Sequence, residues 1–191
     1  MIGLDILAVG NLVRDEDGSI LEAHSTSTLI RTGESNIVVD TSSKFLRPAL
    51  KSSLRDLGVF ARDVDTLILT HCHDDHIGNI DMFPNAEIYV HSGGPEPEFR
   101  ANIVDEDILD ICDGIRLVHT PGHTPDSMSV FVQADRNYAV VGDAIPLQDN
   151  YEKMVPPKLN TDPELAMQSI NSIVNFADII VPGHGFPFMT R

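Results

Sequence analysis

Tryptophan is absent from this chain of 191 residues, cysteine occurs twice, and 13 Lys and Arg face 29 Asp and Glu. Each scarcity removes a class of protein. Two cysteines, Cys72 and Cys112, cannot build the disulfide framework of a small secreted domain, so they read as reduced thiols. A formal charge of −16 leaves little basic surface for a polyphosphate, so extended nucleic acid is not an expected partner. No apolar run approaches the roughly 18 to 20 residues of a membrane-spanning helix. The start Met1-Ile2-Gly3-Leu4-Asp5 lacks the basic flank of a secretory leader. The expectation is a cytoplasmic protein with no membrane contact, folded as one domain over residues 1–191, without repeats or low-complexity tracts.

What the chain does hold is histidine beside carboxylate. The segment Thr70-His71-Cys72-His73-Asp74-Asp75-His76 follows the aliphatic run Val64–Thr70, which reads as a buried strand, so these groups sit on a loop at a strand end. In such a turn His71 and His73 can converge on one point while Asp75 and His76 face another, which suggests two ions. Mixed imidazole and carboxylate donors without thiolate are typical of catalytic metal centres. Cys72 reads as a packing residue behind the loop. The same placement recurs at His123, Asp143 and His184, each at the end of an apolar run and each beside glycine, which lets backbone approach a metal closely.

Patterning supplies the frame. Strands are expected over 2–9, 21–31 and 36–40, the last two joined by a turn at 32–35, then over 64–70, 87–91, 114–119, 126–133, 137–142 and 178–181. Leu46, Leu50, Leu54 and Leu57 form one apolar stripe of a helix over 44–57. Thr161-Asp162-Pro163-Glu164 reads as a capping box opening a second helix. Segments 92–110 and 144–160 lack periodicity and read as irregular loops near the site; the second, with Tyr151 and Lys153, is the lid candidate. His24, His91 and His119 read as structural.

The ordered set H-x-H-x-D-H at 71–76, then His123, Asp143 and His184, resembles the metallo-β-lactamase superfamily. Its short single-domain members, similar to metallo-β-lactamase domain-containing protein 1, share His-Ile-Gly-Asn after the first motif and Val-Pro-Gly-His-Gly-Phe-Pro-Phe near the end. The resemblance implies an α+β fold, a four-layer αβ/βα sandwich with the metals at one edge. It implies that His71, His73 and His123 hold one ion, that Asp75, His76 and His184 hold a second, and that Asp143 bridges them. Asp40, closing the run Ile37–Val39, would brace the metal loop by orienting a ligand histidine.

By the same resemblance the cofactor is a pair of divalent ions, zinc first, with iron or manganese as alternatives. The activity is then hydrolysis of a small ester, thioester, lactone or phosphodiester by a metal-bridging hydroxide, with Asp75 as proton acceptor. Asp143 stands where common zinc β-lactamases carry Cys, which argues against antibiotic hydrolysis, and little chain follows His184 to hold glutathione as in glyoxalase II enzymes. Three other readings stay open: a mononuclear iron persulfide dioxygenase using His71, His123 and Asp143, an RNA-processing metallonuclease, and a non-catalytic partner stabilised by metal. A small-molecule substrate is expected, and assembly into a homo-oligomer stays open.

Overall fold

The computed structural model describes residues 1–190. Its strands in the first half are β1 (Gly3–Ala8), β2 (Asn11–Arg14), β3 (Ile20–His24), β4 (Ser27–Arg31), β5 (Asn36–Val39), β6 (Thr66–Ile68) and β7 (Glu87–His91). The second half holds β8 (Asn102–Val104), β9 (Ile108–Cys112), β10 (Ile115–His119), β11 (Met128–Gln133), β12 (Asn137–Val140), β13 (Ile179–Val181) and β14 (Phe188–Met189). The helices are α1 (Arg47–Asp56), the single turn α2 (Asp74–Ile77), α3 (Gln148–Lys153) and α4 (Pro163–Phe176).

Two six-stranded mixed sheets result, ordered β1-β4-β5-β6-β7-β8 and β14-β13-β12-β11-β10-β9, with β2 and β3 paired as a separate ribbon. Parallel neighbours cannot be joined by a tight turn. The connection from β5 to its parallel neighbour β6 therefore runs through α1, and that from β12 to parallel β13 through α4.

Period-two alternation divides the strand side chains between layers. Ile37, Val39, Ile68, Met128, Val130, Val132, Val140 and Val181 meet in the core between the sheets. Their intervening neighbours turn outward. Val38 and Leu67 pack with Leu50 and Leu54 of α1, while Phe131, Ala139 and Ile180 pack with Ile170 and Ile173 of α4. The order is helix, sheet, sheet, helix, the expected four-layer α+β sandwich. Among the described residues no helix is long and apolar enough to cross a membrane.

Several expectations need correction. The run 21–31 is two strands, broken at Ser25-Thr26, where the chain leaves the ribbon for the first sheet. The segment 92–110 holds β8 and the start of β9; β9 alternates exposed and half-buried residues, and Asp105, Glu106 and Asp110 masked the weak strand signal. The segment 144–160 holds α3, ended by Met154 in a left-handed conformation at φ 48°. The cap of α4 is Asp162, one residue later than expected, accepting from the Glu164 and Leu165 amides.

Candidate metal centre

The histidine-bearing loops meet at one edge of the sandwich because the strands before them end there. Directly after β5, Asp40 and Ser42 adopt positive φ angles of 54° and 57°, a region non-glycine residues seldom occupy. The surroundings hold that turn in place. The Asp40 amide donates to the Ile68 carbonyl at 2.9 Å, the Thr41 amide to the His76 carbonyl at 2.7 Å, and Asn79 Nδ2 to the Thr41 and Ser43 carbonyls at 2.8 and 2.7 Å. The Met128 amide donates to the Thr70 carbonyl at 2.8 Å, tying the second sheet to the first loop. At the break between β3 and β4 the Ser25 amide donates to the Asp75 carbonyl at 3.1 Å and the Thr26 amide to that of Gly183 at 2.7 Å.

Within this frame the rings converge. His71 Nε2 and His123 Nε2 lie 2.9 and 3.2 Å from His73 Nδ1. His184 Nε2 and His76 Nε2 lie 3.6 and 3.7 Å from Asp75 Oδ2. Asp143 stands between the two groups. Its Oδ1 is 3.2 Å from His184 Nε2 and 3.5 Å from His76 Nε2, while its Oδ2 is 3.5 Å from His123 Nε2.

The other ring nitrogens are tied down from behind. His123 Nδ1 donates to the Leu159 carbonyl at 2.7 Å and His184 Nδ1 to the His24 carbonyl at 2.8 Å. A carbonyl only accepts, so both Nδ1 atoms carry hydrogen and both Nε2 lone pairs, in the neutral rings, face the cluster. His76 Nδ1 lies 2.7 Å from Asp40 Oδ2, and Asp40 also accepts from the Thr70 amide and hydroxyl, each at 2.8 Å.

Charge follows this layout. Burial opposes the charged forms of His76 and His184. The Asp40 and Asp143 carboxylates overcome it at His76, and Asp143 overcomes it at His184, so both stand above the ordinary imidazole value. Burial also opposes ionisation of Asp143, yet His184 and His76 hold it well below the usual carboxylate range. Burial first, and neighbouring histidines second, hold His71 and His73 below the ordinary value.

The residues fit metal ions on three grounds. His76 Nε2 and Asp143 Oδ1 are buried without a hydrogen-bond partner, an arrangement an ion would satisfy. A Cβ on Gly183 would overlap Asp143 Oδ1, and one on Gly142, at φ 48°, would overlap Thr70 Oγ1, so both glycines make room for groups of the cluster. Candidate donor atoms of His71, His73 and His123, of His71, His76 and Asp143, and of Asp75, His76 and His184 lie within 4.8 Å of one another in each group. The site can therefore hold one or two divalent ions.

Other residues singled out from the sequence lie elsewhere. The His24 ring stacks on Phe45 and bonds Ser43 Oγ at 2.7 Å; only its carbonyl serves the site. His91 and His119 stack on each other at 3.7 Å. Cys72 is a free thiol outside every donor group, raised to about 11 by burial and the nearby Asp126 and Asp40 carboxylates. Tyr151 packs against Phe188, and exposed Lys153 pairs with Asp149. The cavity over the cluster measures about 60 Å³ and is lined instead by Leu12, Arg14, Ile20 and Ala23 of the ribbon and by Pro157, Lys158 and Leu159. Sequence reasoning passed over Arg14 and Lys158; the available signal was the spacing of Leu12 and Arg14 on one face of a short strand. A larger, more apolar cavity of about 510 Å³ beside α1, lined by Leu54, Val59, Phe60 and Met82, includes none of these donors.

Comparison with known proteins agrees with this geometry. The family model described as "Metallo-beta-lactamase superfamily" matches residues 22–184. A Methanocaldococcus jannaschii protein named a probable metallo-hydrolase is 42% identical over 184 residues, 96% of this chain and 87% of its own. Metallo-beta-lactamase domain-containing protein 1 of Xenopus laevis is 34% identical over 183 residues, 92% of this chain and 76% of its own. A solved quorum-quenching N-acyl homoserine lactone hydrolase shares the fold with a TM-score of 0.77, at 24% identity over 95% of this chain and 91% of that one.

Proposed function

From the premise that the chain belongs to the metallo-β-lactamase superfamily, we propose that it hydrolyses small esters, thioesters, lactones or phosphodiesters at a dinuclear zinc centre in the cytoplasm. In this reading His71, His73 and His123 hold one ion and Asp75, His76 and His184 the other. The observation that carries it is Asp143, whose Oδ1 faces His76 and His184 while Oδ2 faces His123, the disposition of a bridge between two ions. Bound there, two divalent ions would supply an activated water and Lewis-acid polarisation of the scissile group.

The chain's own residues set the conditions for that chemistry. Hydrogen bonds to the Leu159 and His24 carbonyls and to Asp40 hold three ligand rings in the tautomer and orientation that ligation needs. Asp75 is more open to the cleft than Asp143, with 20% of its side chain exposed against 11%, and is the carboxylate placed to take a proton. The lactone hydrolase structure that shares this fold supports a lactone or open-chain ester as substrate class.

The test is a panel of generic esters, thioesters, lactones and phosphodiesters offered to protein loaded with zinc, manganese or iron. Expected is turnover that a chelator abolishes and that His73→Ala lacks. Absence of metal-dependent turnover with every class would overturn the reading.

A further inference from the structure

The ribbon and the segment before α4 each bring one cation to the cavity beside the metal cluster. Cross-strand pairing sets Leu12 opposite Ala23 and Arg14 opposite Ile20, and all four residues line the cavity that holds His73, Asp75, His123, Asp143 and His184. Lys158 reaches the same cavity from the segment whose Leu159 carbonyl holds His123.

Both cations meet at one residue. Arg14 Nη1 donates to the Gly18 carbonyl at 2.8 Å, and a Cβ on Gly18, which stands at φ 89°, would overlap the Lys158 ammonium. Two like charges brought together at a cavity wall repel. In a chain with 29 acids and 13 bases, carboxylate partners are abundant. Yet among the described residues neither Arg14 nor Lys158 makes an ion pair; Asp17 acts on Lys158 only as a nearby charge. A guanidinium with unused donors beside an ammonium is a receptor for an acid anion. Around them Leu12, Ile20 and Leu159 offer a short apolar wall.

We propose that Arg14 and Lys158 select substrates bearing an acid anion, carboxylate or phosphonate, on a short apolar body whose scissile carbonyl lies over the metal cluster. This deepens the hydrolase reading above and rests on it. Against an acidic exterior that repels it, the anion is attracted locally by the two cations, which orient the substrate without entering the bond-breaking step.

The test compares three aryl esters of equal chain length, one ending in a methyl group, one in a carboxylate and one in a phosphonate, with metal-loaded wild type, Arg14→Gln, Lys158→Gln and Lys158→Arg. In wild type, kcat/KM should favour at least one anionic ester over the neutral one by about tenfold or more, and the better of the two identifies the acid. Arg14→Gln and Lys158→Gln should each collapse that ratio, chiefly through KM, with metal content unchanged; Lys158→Arg should keep most of it. A ratio near one in wild type, or a ratio untouched by both Gln variants, overturns the proposal while leaving the hydrolase reading intact. No turnover of any ester by metal-loaded wild type would instead sink the hydrolase reading and this selectivity with it.

Discussion

Replacing Asp40 with Asn removes a charge and almost no volume from a buried position that accepts hydrogen bonds from the Thr70 amide, the Thr70 hydroxyl and His76 Nδ1. The Asn amide has one accepting oxygen. If that oxygen keeps the Thr70 amide, the NH2 group points at His76 Nδ1 and two donors face each other. The unsatisfied donor costs about 1–3 kcal/mol, read as a loss of stability in the metal-free protein. If His76 escapes by moving its hydrogen to Nε2, it no longer offers a lone pair toward Asp75 and His184, and metal affinity falls by about 10- to 100-fold. A competing effect runs the other way. The Asp40 carboxylate raises His76, so its loss lowers the ring's affinity for a proton and by itself would favour metal. Calorimetric zinc titration near neutral pH, with nitrogen-15 spectra of the imidazoles to read the tautomer, separates the two. Unchanged or tighter binding at the site of His76 would refute the bracing role of Asp40.

The raised His76 and His184 keep protons that a metal must displace, so zinc affinity should climb as pH rises and binding should release protons; equal heats in buffers of different ionisation enthalpy would contradict this. Gly183→Ala, which pushes a methyl group into Asp143 Oδ1, should weaken zinc binding about tenfold or more in a folded protein, as dialysis and circular dichroism can show; wild-type affinity would be contrary. Leu50→Ala empties a fully buried position between α1 and the first sheet and should cost about 2–5 kcal/mol by denaturant unfolding, with zinc stoichiometry unchanged; lost metal binding in the folded variant would show that the loops depend on that layer.

The frame was legible where burial was most complete. Runs such as Ile37-Val38-Val39 and Val130-Phe131-Val132 are apolar because each strand faces a core on both sides, and the Leu50/Leu54 stripe matches one helix face on a sheet. The weak edge strand β9 and the short helix α3 were not, since exposed edges and helices of under two turns carry little hydrophobic signal. The histidine and aspartate candidates stood out because imidazole and carboxylate are seldom concentrated at strand ends without a ligand. Arg14 and Lys158 did not, because a lone cation beside acids reads as solvated surface until the ribbon folds over the cleft. The break at Ser25-Thr26 escaped for a related reason: its hydrogen bonds go to Asp75 and Gly183, partners far away in the chain.

Zinc-edge anomalous diffraction from crystals of the metal-loaded protein reaches the account most directly. It should show two peaks, one among His71, His73 and His123 and one among Asp75, His76 and His184, with an oxygen of Asp143 turned to each. Peaks away from these side chains, or two peaks with Asp143 turned aside, would contradict it.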